Sequence, residues 1–230
     1  IGNILMYDVT LYGHLTFDRI FDGFKKDNSV GSMGNVWHHL NNINSTLKIN
    51  LEPTDIGEAL ILVNKEKSER ASVANLNMKY RTPFISKSKW SHILYLNELS
   101  DTSFVKKINQ GIISADLCRG RILKDISILN HIDFLFISDE DLFTDIEELY
   151  PHIKTAIILH HSGGSVCYTR DGYSIKTDVK ILDNINVLGC GDMLASYFIN
   201  EFLNNGDIEK SIKMSHKLIS NYLGEENEKI

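Results

Sequence analysis

At 230 residues, 43% hydrophobic and 23% charged, the chain has the composition of an ordinary globular domain with enough apolar surface for a sizeable core. Thirty acidic against 24 basic residues leave a net charge of -6 and no Lys/Arg-rich block, which speaks against nonspecific binding to nucleic acid or a membrane surface. Cys118, Cys167 and Cys190 lie far apart with no CxxC pair, which argues against a disulfide scaffold or zinc ribbon and for a reducing cytoplasm. No apolar run approaches the roughly 18 residues of a membrane span, and no signal-peptide pattern opens the chain.

An apolar first strand runs up to Gly13, and a helix is expected after Asn35. Three strand-like stretches follow without helices between them: Leu47–Leu51, Glu58–Asn64 and Arg70–Leu76. Their polar faces and the charged turn at Asn64-Lys65-Glu66-Lys67 suggest a small antiparallel sheet projecting from the main body. The second half alternates. Strands are expected at Gly111–Leu117, Phe134–Ser138 and Ala156–His160, with helical spacing at Arg121–Leu129 and Glu140–Leu149 between them. Continuous apolar strands separated by amphipathic helices indicate an α/β fold with a mostly parallel sheet covered on both faces, a three-layer α/β/α sandwich. A hairpin, Ser165–Arg170 and Tyr173–Ile181, turns at Asp171-Gly172. Two helices close the chain, one from Cys190 and one from about Asp207, with Gly206 between them and Asp207 as N-cap.

The segment richest in chemistry is Asn186–Asp192, NVLGCGD, which leads into the helix at Met193. Two glycines permit a tight turn whose amides point one way, and the following helix adds the positive end of its dipole. Gly189, Cys190 and Gly191 are therefore candidates for an anion hole, and Asp192 for the carboxylate that takes a proton from an attacking hydroxyl. The same residues also fit a plain loop that ends in an N-cap aspartate.

GCGD followed by MLASYFINEFL resembles the C-terminal signature of the ribokinase-like, or PfkB, carbohydrate kinases. Other stretches resemble that family in the same order: Gly13–Asp18 (GHLTFD), Val30–Asn35 (VGSMGN), Asp116-Leu-Cys-Arg119, Ser138–Asp141 (SDED) and Ala156–Gly164. The resemblance implies one kinase domain over residues 1–230, with a β-sheet lid from about 14–30 and 47–77. It implies ATP-dependent phosphoryl transfer to a hydroxymethyl group of a sugar or nucleoside-like molecule. Asp192 would be the general base, and the amides of Gly189, Cys190 and Gly191 the anion hole. Asp18, Gly31, Asn35 and Asp116 would bind the acceptor. Ser138, His161, Gly164 and His216 would lie along the nucleotide, and Asp141 would organise Mg2+ through water. The apolar face of a projecting lid favours a homodimer through the lids.

The chain also departs from the family pattern. Val30 stands in place of the first paired glycine, and Ser138 and Asp141 in place of an Asn and a Glu. Leu159-His160-His161 replaces Thr-x-Gly, Cys190 replaces alanine, and Asn186-Val187-Leu188 replaces the Asp-Thr-Thr associated with a monovalent cation. Potassium activation is accordingly not expected. Cys190 is expected to be inert, and His160 or His161 to contact phosphate or base. Metal ligation by His38-His39 or His160-His161 is not expected, since neighbouring residues on a helix or strand point apart. Trp37 and Trp90 read as core or lid-edge aromatics. Two further readings remain open: a ribokinase-fold binder of nucleotide or sugar without turnover, and a hydroxymethylpyrimidine or pyridoxal-type kinase. The chain is short for the family, and the missing part falls between Asn35 and Glu58, where a further β–α unit is expected, and at the C-terminal end.

Overall fold

The computed structural model describes residues 6–64, 69–118, 121–180 and 189–227. The chain forms two compact units: one of Ile1–His14, Thr46–Asp55 and Tyr80–Asp178, and one of Leu15–Ser45, Ile56–Lys79 and Val179–Ile230.

The first unit is built on strands β1 (Tyr7–Asp22, through His14), β3 (Ile49–Asn64, through Asp55), β5 (Ser88–Leu94), β6 (Ile112–Asp116), β7 (Phe134–Ser138), β8 (Ala156–His161), β9 (Gly164–Thr169) and β10 (Ser174–Asp178). Their order is β10-β9-β8-β7-β6-β5-β1-β3. The steps β1-β5, β5-β6, β6-β7 and β7-β8 are parallel, while β9 and β10 add antiparallel at one edge. This is the mostly parallel α/β sheet the apolar runs predict. Strands β6 to β8 are β-branched and buried because a sheet covered by its crossovers leaves no polar face.

The crossovers differ from expectation. In place of a helix over Arg121–Leu129 there is one 3-10 segment, Ile126–His131, and in place of one over Glu140–Leu149 there is a 3-10 turn at Asp139–Asp141 and the four-residue helix α2 (Ile146–Leu149). Asp125 explains the first: its carboxylate accepts from Ser127 N–H at 3.0 Å and from Ser127 Oγ at 2.6 Å, a local bond that competes with helical turns. Pro151 stands two residues after the end of α2. These short pieces still bury Ile128, Leu129, Ile146 and Leu149 against Leu135 and Ile157 of the sheet. The apolar spacing is satisfied without long helices.

On the sheet itself Trp90 stacks on Phe134 with ring centroids 5.6 Å apart, and its indole N–H donates to Ser114 Oγ at 2.7 Å. Trp90 is a core residue, whereas Trp37 of the second unit is 44% exposed. The Asp171-Gly172 turn forms as predicted, with Gly172 at φ 82.

The second unit holds the outer halves of β1 and β3, the strands β2 (Lys25–Ser29) and β4 (Glu69–Tyr80, through Lys79), and the helices α1 (Gly31–Ile43), α3 (Cys190–Asn205) and α4 (Ile208–Asn227). β1 and β2 form an antiparallel hairpin that pairs Asp18 with Ser29 and Asp22 with Lys25. The separate strands expected at Leu47–Leu51 and Glu58–Asn64 are one continuous β3, whose chain neighbour in the sheet is β4. Gly57 within β3 is there for space: a Cβ would meet Met78 Sδ at 2.1 Å and the Leu76 carbonyl oxygen at 2.9 Å. α3 ends on Gly206 at φ 68, and Asp207 caps α4 by accepting from Lys210 N–H at 3.0 Å. Among the described residues no helix is long and apolar enough to cross a membrane.

Candidate active site

The second unit carries the carboxylate that the GCGD segment singles out. Gly189 sits at φ 82 as the residue before α3, and its carbonyl accepts from Met193 N–H at 2.9 Å. Cys190, Gly191 and Asp192 form the first turn of α3, the turn whose amides carry the positive end of the helix dipole. Asp192 is buried there, 8% exposed. Its Oδ2 accepts from Asn35 Nδ2 at 2.9 Å, and its Oδ1 accepts from Ser32 Oγ. Its carbonyl accepts from Ser196 Oγ at 2.6 Å, one turn along the same helix. Asn186, Val187 and Leu188 lie outside the described residues.

Both carboxylate partners come from α1. VGSMGN does not precede this helix, as the family resemblance implies, but forms its N-terminus: α1 starts at Gly31, and Ser32 and Asn35 are three residues apart on one face. Gly31 has φ +55, and a Cβ there would fall 2.4 Å from Thr16 Oγ1 and 3.1 Å from the Thr16 carbonyl oxygen, so α1 begins pressed against β1. Val30 precedes the helix and lies over Gly34, where a Cβ would come 2.6 Å from Val30 Cβ. Ser32 was not among the residues singled out from the sequence. The signal that could have found it is its place three residues before Asn35, which becomes a shared face once the motif is helical.

Asp18 lies on the outer half of β1, 8% exposed, in a pocket of about 400 Å3 shared with Phe17, Arg19, Asn28, Ser29, Val30 and Glu58. Arg19 and Glu58 form an ion pair at 3.2 Å beside it, and Asn77 Nδ2 donates to the same carboxylate at 3.2 Å. His216 is on α4, buried at 8% exposure. The His38 and His39 rings lie edge-on, with centroids 5.7 Å apart. His38 bonds Asn42 through Nε2 at 2.8 Å, while His39 is packed edge-on to Tyr197 and Tyr222. Burial and the neighbouring His38 hold the His39 imidazole down at about 4. Among the described residues no group of three or more His, Cys, Asp or Glu is placed to hold a metal ion.

The remaining sequence-predicted residues belong to the first unit and cluster at strand ends. Ser138 ends β7 and pairs with His160; His161 ends β8 and pairs with Gly164. Ser138 Oγ accepts from Glu140 N–H at 3.2 Å, which starts the Asp139–Asp141 turn and sets Asp141 beside β8. His161 folds back on its own loop, its Nδ1 accepting from Gly163 N–H at 3.1 Å, so the ring proton is on Nε2. Gly164 has φ +134, and a Cβ there would lie 2.0 Å from the Thr177 carbonyl oxygen. Asp116 ends β6 with its carboxylate accepting from Tyr95 N–H, a residue at φ 56. It thus supports the turn after β5. Arg119 lies outside the described residues. Cys167 is fully buried, and burial pushes its thiol up to about 12, whereas Cys190 is half-buried.

No family model matches the chain. Over 136 residues it is 24% identical to an ATP-dependent ribose-1-phosphate kinase of Halopiger xanaduensis, which takes in 54% of this chain. The match covers 46% of that protein, so the chain spans about half the length of this curated relative. Solved structures cover nearly all of it. A pyrophosphate-dependent kinase in the ribokinase family, in complex with sulfate, has TM-score 0.70 at 15% identity, over 94% of this chain and 95% of that one. The nucleoside kinase of Methanocaldococcus jannaschii has TM-score 0.64 at 18% identity, over 95% and 92%. The ribokinase of Thermotoga maritima has TM-score 0.68 at 11% identity, over 92% and 91%. The parallel sheet, its antiparallel edge strands and the glycine-led helix that bears Asp192 make up a ribokinase-like fold.

Proposed function

We propose that the chain is a kinase of the ribokinase-like type that transfers a phosphoryl group to a hydroxymethyl group of a sugar or nucleoside-like acceptor. The observation that carries this reading is the Asp192 carboxylate, buried in the first turn of α3 and accepting from two α1 side chains. A carboxylate needs no such pair of partners to cap a helix; fixed orientation is what a general base requires. In this reading Asp192 takes the acceptor's proton, and the amides of Gly189, Cys190 and Gly191 stabilise the charge on the phosphoryl group in flight. Asp18, Gly31, Asn35 and Asp116 bind the acceptor in this reading.

The donor side is assigned to Ser138, His161 and Gly164, with His216 as a further nucleotide contact. Asp141 supplies one hard oxygen donor, next to Asp139 and Glu140 on a short turn. One or two carboxylates with phosphate oxygens and water suit Mg2+, which when bound would neutralise the phosphate charges. ATP is the donor this reading expects. One observation favours pyrophosphate as the alternative: His161 Nδ1 occupies the Gly163 N–H and leaves an Nε2 proton to offer an anion. The pyrophosphate-dependent kinase with the same fold agrees with that option.

The test is phosphoryl transfer from ATP and from pyrophosphate, with Mg2+, to pentoses, nucleosides, inositol, hydroxymethylpyrimidine and pyridoxal, for wild type and Asp192→Asn. Transfer by wild type with a loss of at least about 1000-fold in the variant supports the reading. Binding of donor and acceptor without transfer by wild type would make the chain a non-catalytic binder instead.

A further inference from the structure

The two donors to Asp192 differ in what can reach them. Ser32 is 4% exposed and donates through Oγ to Oδ1. Asn35 is only partly buried and donates through Nδ2 to Oδ2 at 2.9 Å. Gly189 shows which oxygen lies toward the start of α3, since a Cβ built on it would come 3.5 Å from Asn35 Nδ2 and 3.8 Å from Asp192 Oδ2. Oδ2 therefore faces the left-handed turn and its run of amides, and Oδ1 faces the buried first turn of α1.

We infer that Ser32 is a positioning residue: its hydroxyl holds Oδ1 and so leaves Oδ2 as the oxygen that takes the proton. The inference rests on Asp192 being the base proposed above. As the acceptor oxygen bonds to the transferred phosphorus, its proton passes to Oδ2. The bond from phosphorus to the donor oxygen breaks, and the donor leaves with that electron pair. Asp192 is left as the neutral acid and returns its proton to solvent. An incoming hydroxyl can displace Asn35 from Oδ2, because Asn35 is partly open. It cannot displace Ser32, which is closed off. The Ser32 bond thus persists through the reaction. It favours the charged carboxylate and stops the group from rotating to offer the wrong oxygen.

Wild type, Ser32→Ala and Ser32→Cys would be compared in two measurements. The first is kcat, acceptor KM and the pH profile of kcat. The second needs no substrate: a 13C titration of the Asp192 carboxyl in the whole chain, assigned with Asp192→Asn. In Ser32→Ala kcat is expected to fall about 10- to 100-fold, the worth of one hydrogen bond to a charged group, with acceptor KM within about threefold. The acidic limb of kcat and the carboxyl titration both move to higher pH. Ser32→Cys, a weaker donor of similar size, falls between the two. A carboxyl titration unchanged in Ser32→Ala, or a KM that rises while kcat holds, overturns the inference. If wild type transfers no phosphoryl group, the proposed function fails by itself and the carboxyl titration still decides the role of Ser32.

Discussion

His92 gives the fold a pH dependence whose size follows from its surroundings. It lies on β5 with no exposed surface, its Nδ1 in a 2.7 Å hydrogen bond with Ser114 Oγ and its ring edge-on to Phe136. Ser114 Oγ also accepts the Trp90 indole proton, and its remaining lone pair and hydroxyl proton let it bond His92 Nδ1 in either tautomer of the neutral ring. Burial pushes the imidazole down to about 3. The unfolded chain binds a proton at His92 below about 6.5 while the folded chain does not, so stability is lost as pH falls from there toward the folded value. Between pH 7 and pH 5 the loss from this one residue is about 2 kcal/mol, and because both values lie well above the folded pKa it depends almost entirely on the unfolded one.

The assay is urea unfolding followed by tryptophan fluorescence at the two pH values, for wild type and His92→Gln. Glutamine keeps an acceptor for Ser114 but does not titrate. The wild-type stability should drop by about 2 kcal/mol more than the variant's between pH 7 and pH 5. Equal drops would mean that His92 protonates inside the fold, and would refute the account of a neutral ring locked by Ser114 and Trp90.

Other predictions follow from space and burial. Gly164→Ala forces a Cβ into the Thr177 carbonyl oxygen at a strained φ, and urea unfolding should show a loss of at least about 2 kcal/mol; an unchanged midpoint would refute the contact. Gly31→Ala should cost stability by about 1 to 2 kcal/mol from its left-handed backbone alone, with more from Thr16; adding Thr16→Ala should recover only the second part, and full recovery would contradict the strain. A thiol reagent at neutral pH, read by peptide mass mapping, should label Cys118 and Cys190 in the folded chain but Cys167 only after denaturation. Labelling of Cys167 at the same rate would disprove its burial.

The legible parts of the fold were those with one strong local cause. β7 runs from Phe134 to Ser138 as its apolar residues predict, Asp171-Gly172 makes its turn, and Gly206-Asp207 separates α3 from α4. Apolar spacing failed where a shorter device buries the same residues, as at Ile126–His131, since periodicity reports burial and not hydrogen-bond length. In the candidate site, GCGD pointed to Asp192, but a sequence separation of 157 between Asn35 and Asp192 hides which side chains hold it. Ser32 was invisible for the same reason: a buried serine and a surface serine read alike until the partner is known.

Val30 and Gly34 form one steric unit, a side chain seated where its neighbour one turn on has none. The absence of a side chain at Gly34 is what makes room for the valine at the head of α1. A β-branched residue has far fewer backbone and rotamer states than glycine. The residue that precedes the helix bearing Ser32 and Asn35 is consequently a stiff post. On the proposed function, adjustment to an acceptor falls to side chains such as Asn35 rather than to the residue before the helix.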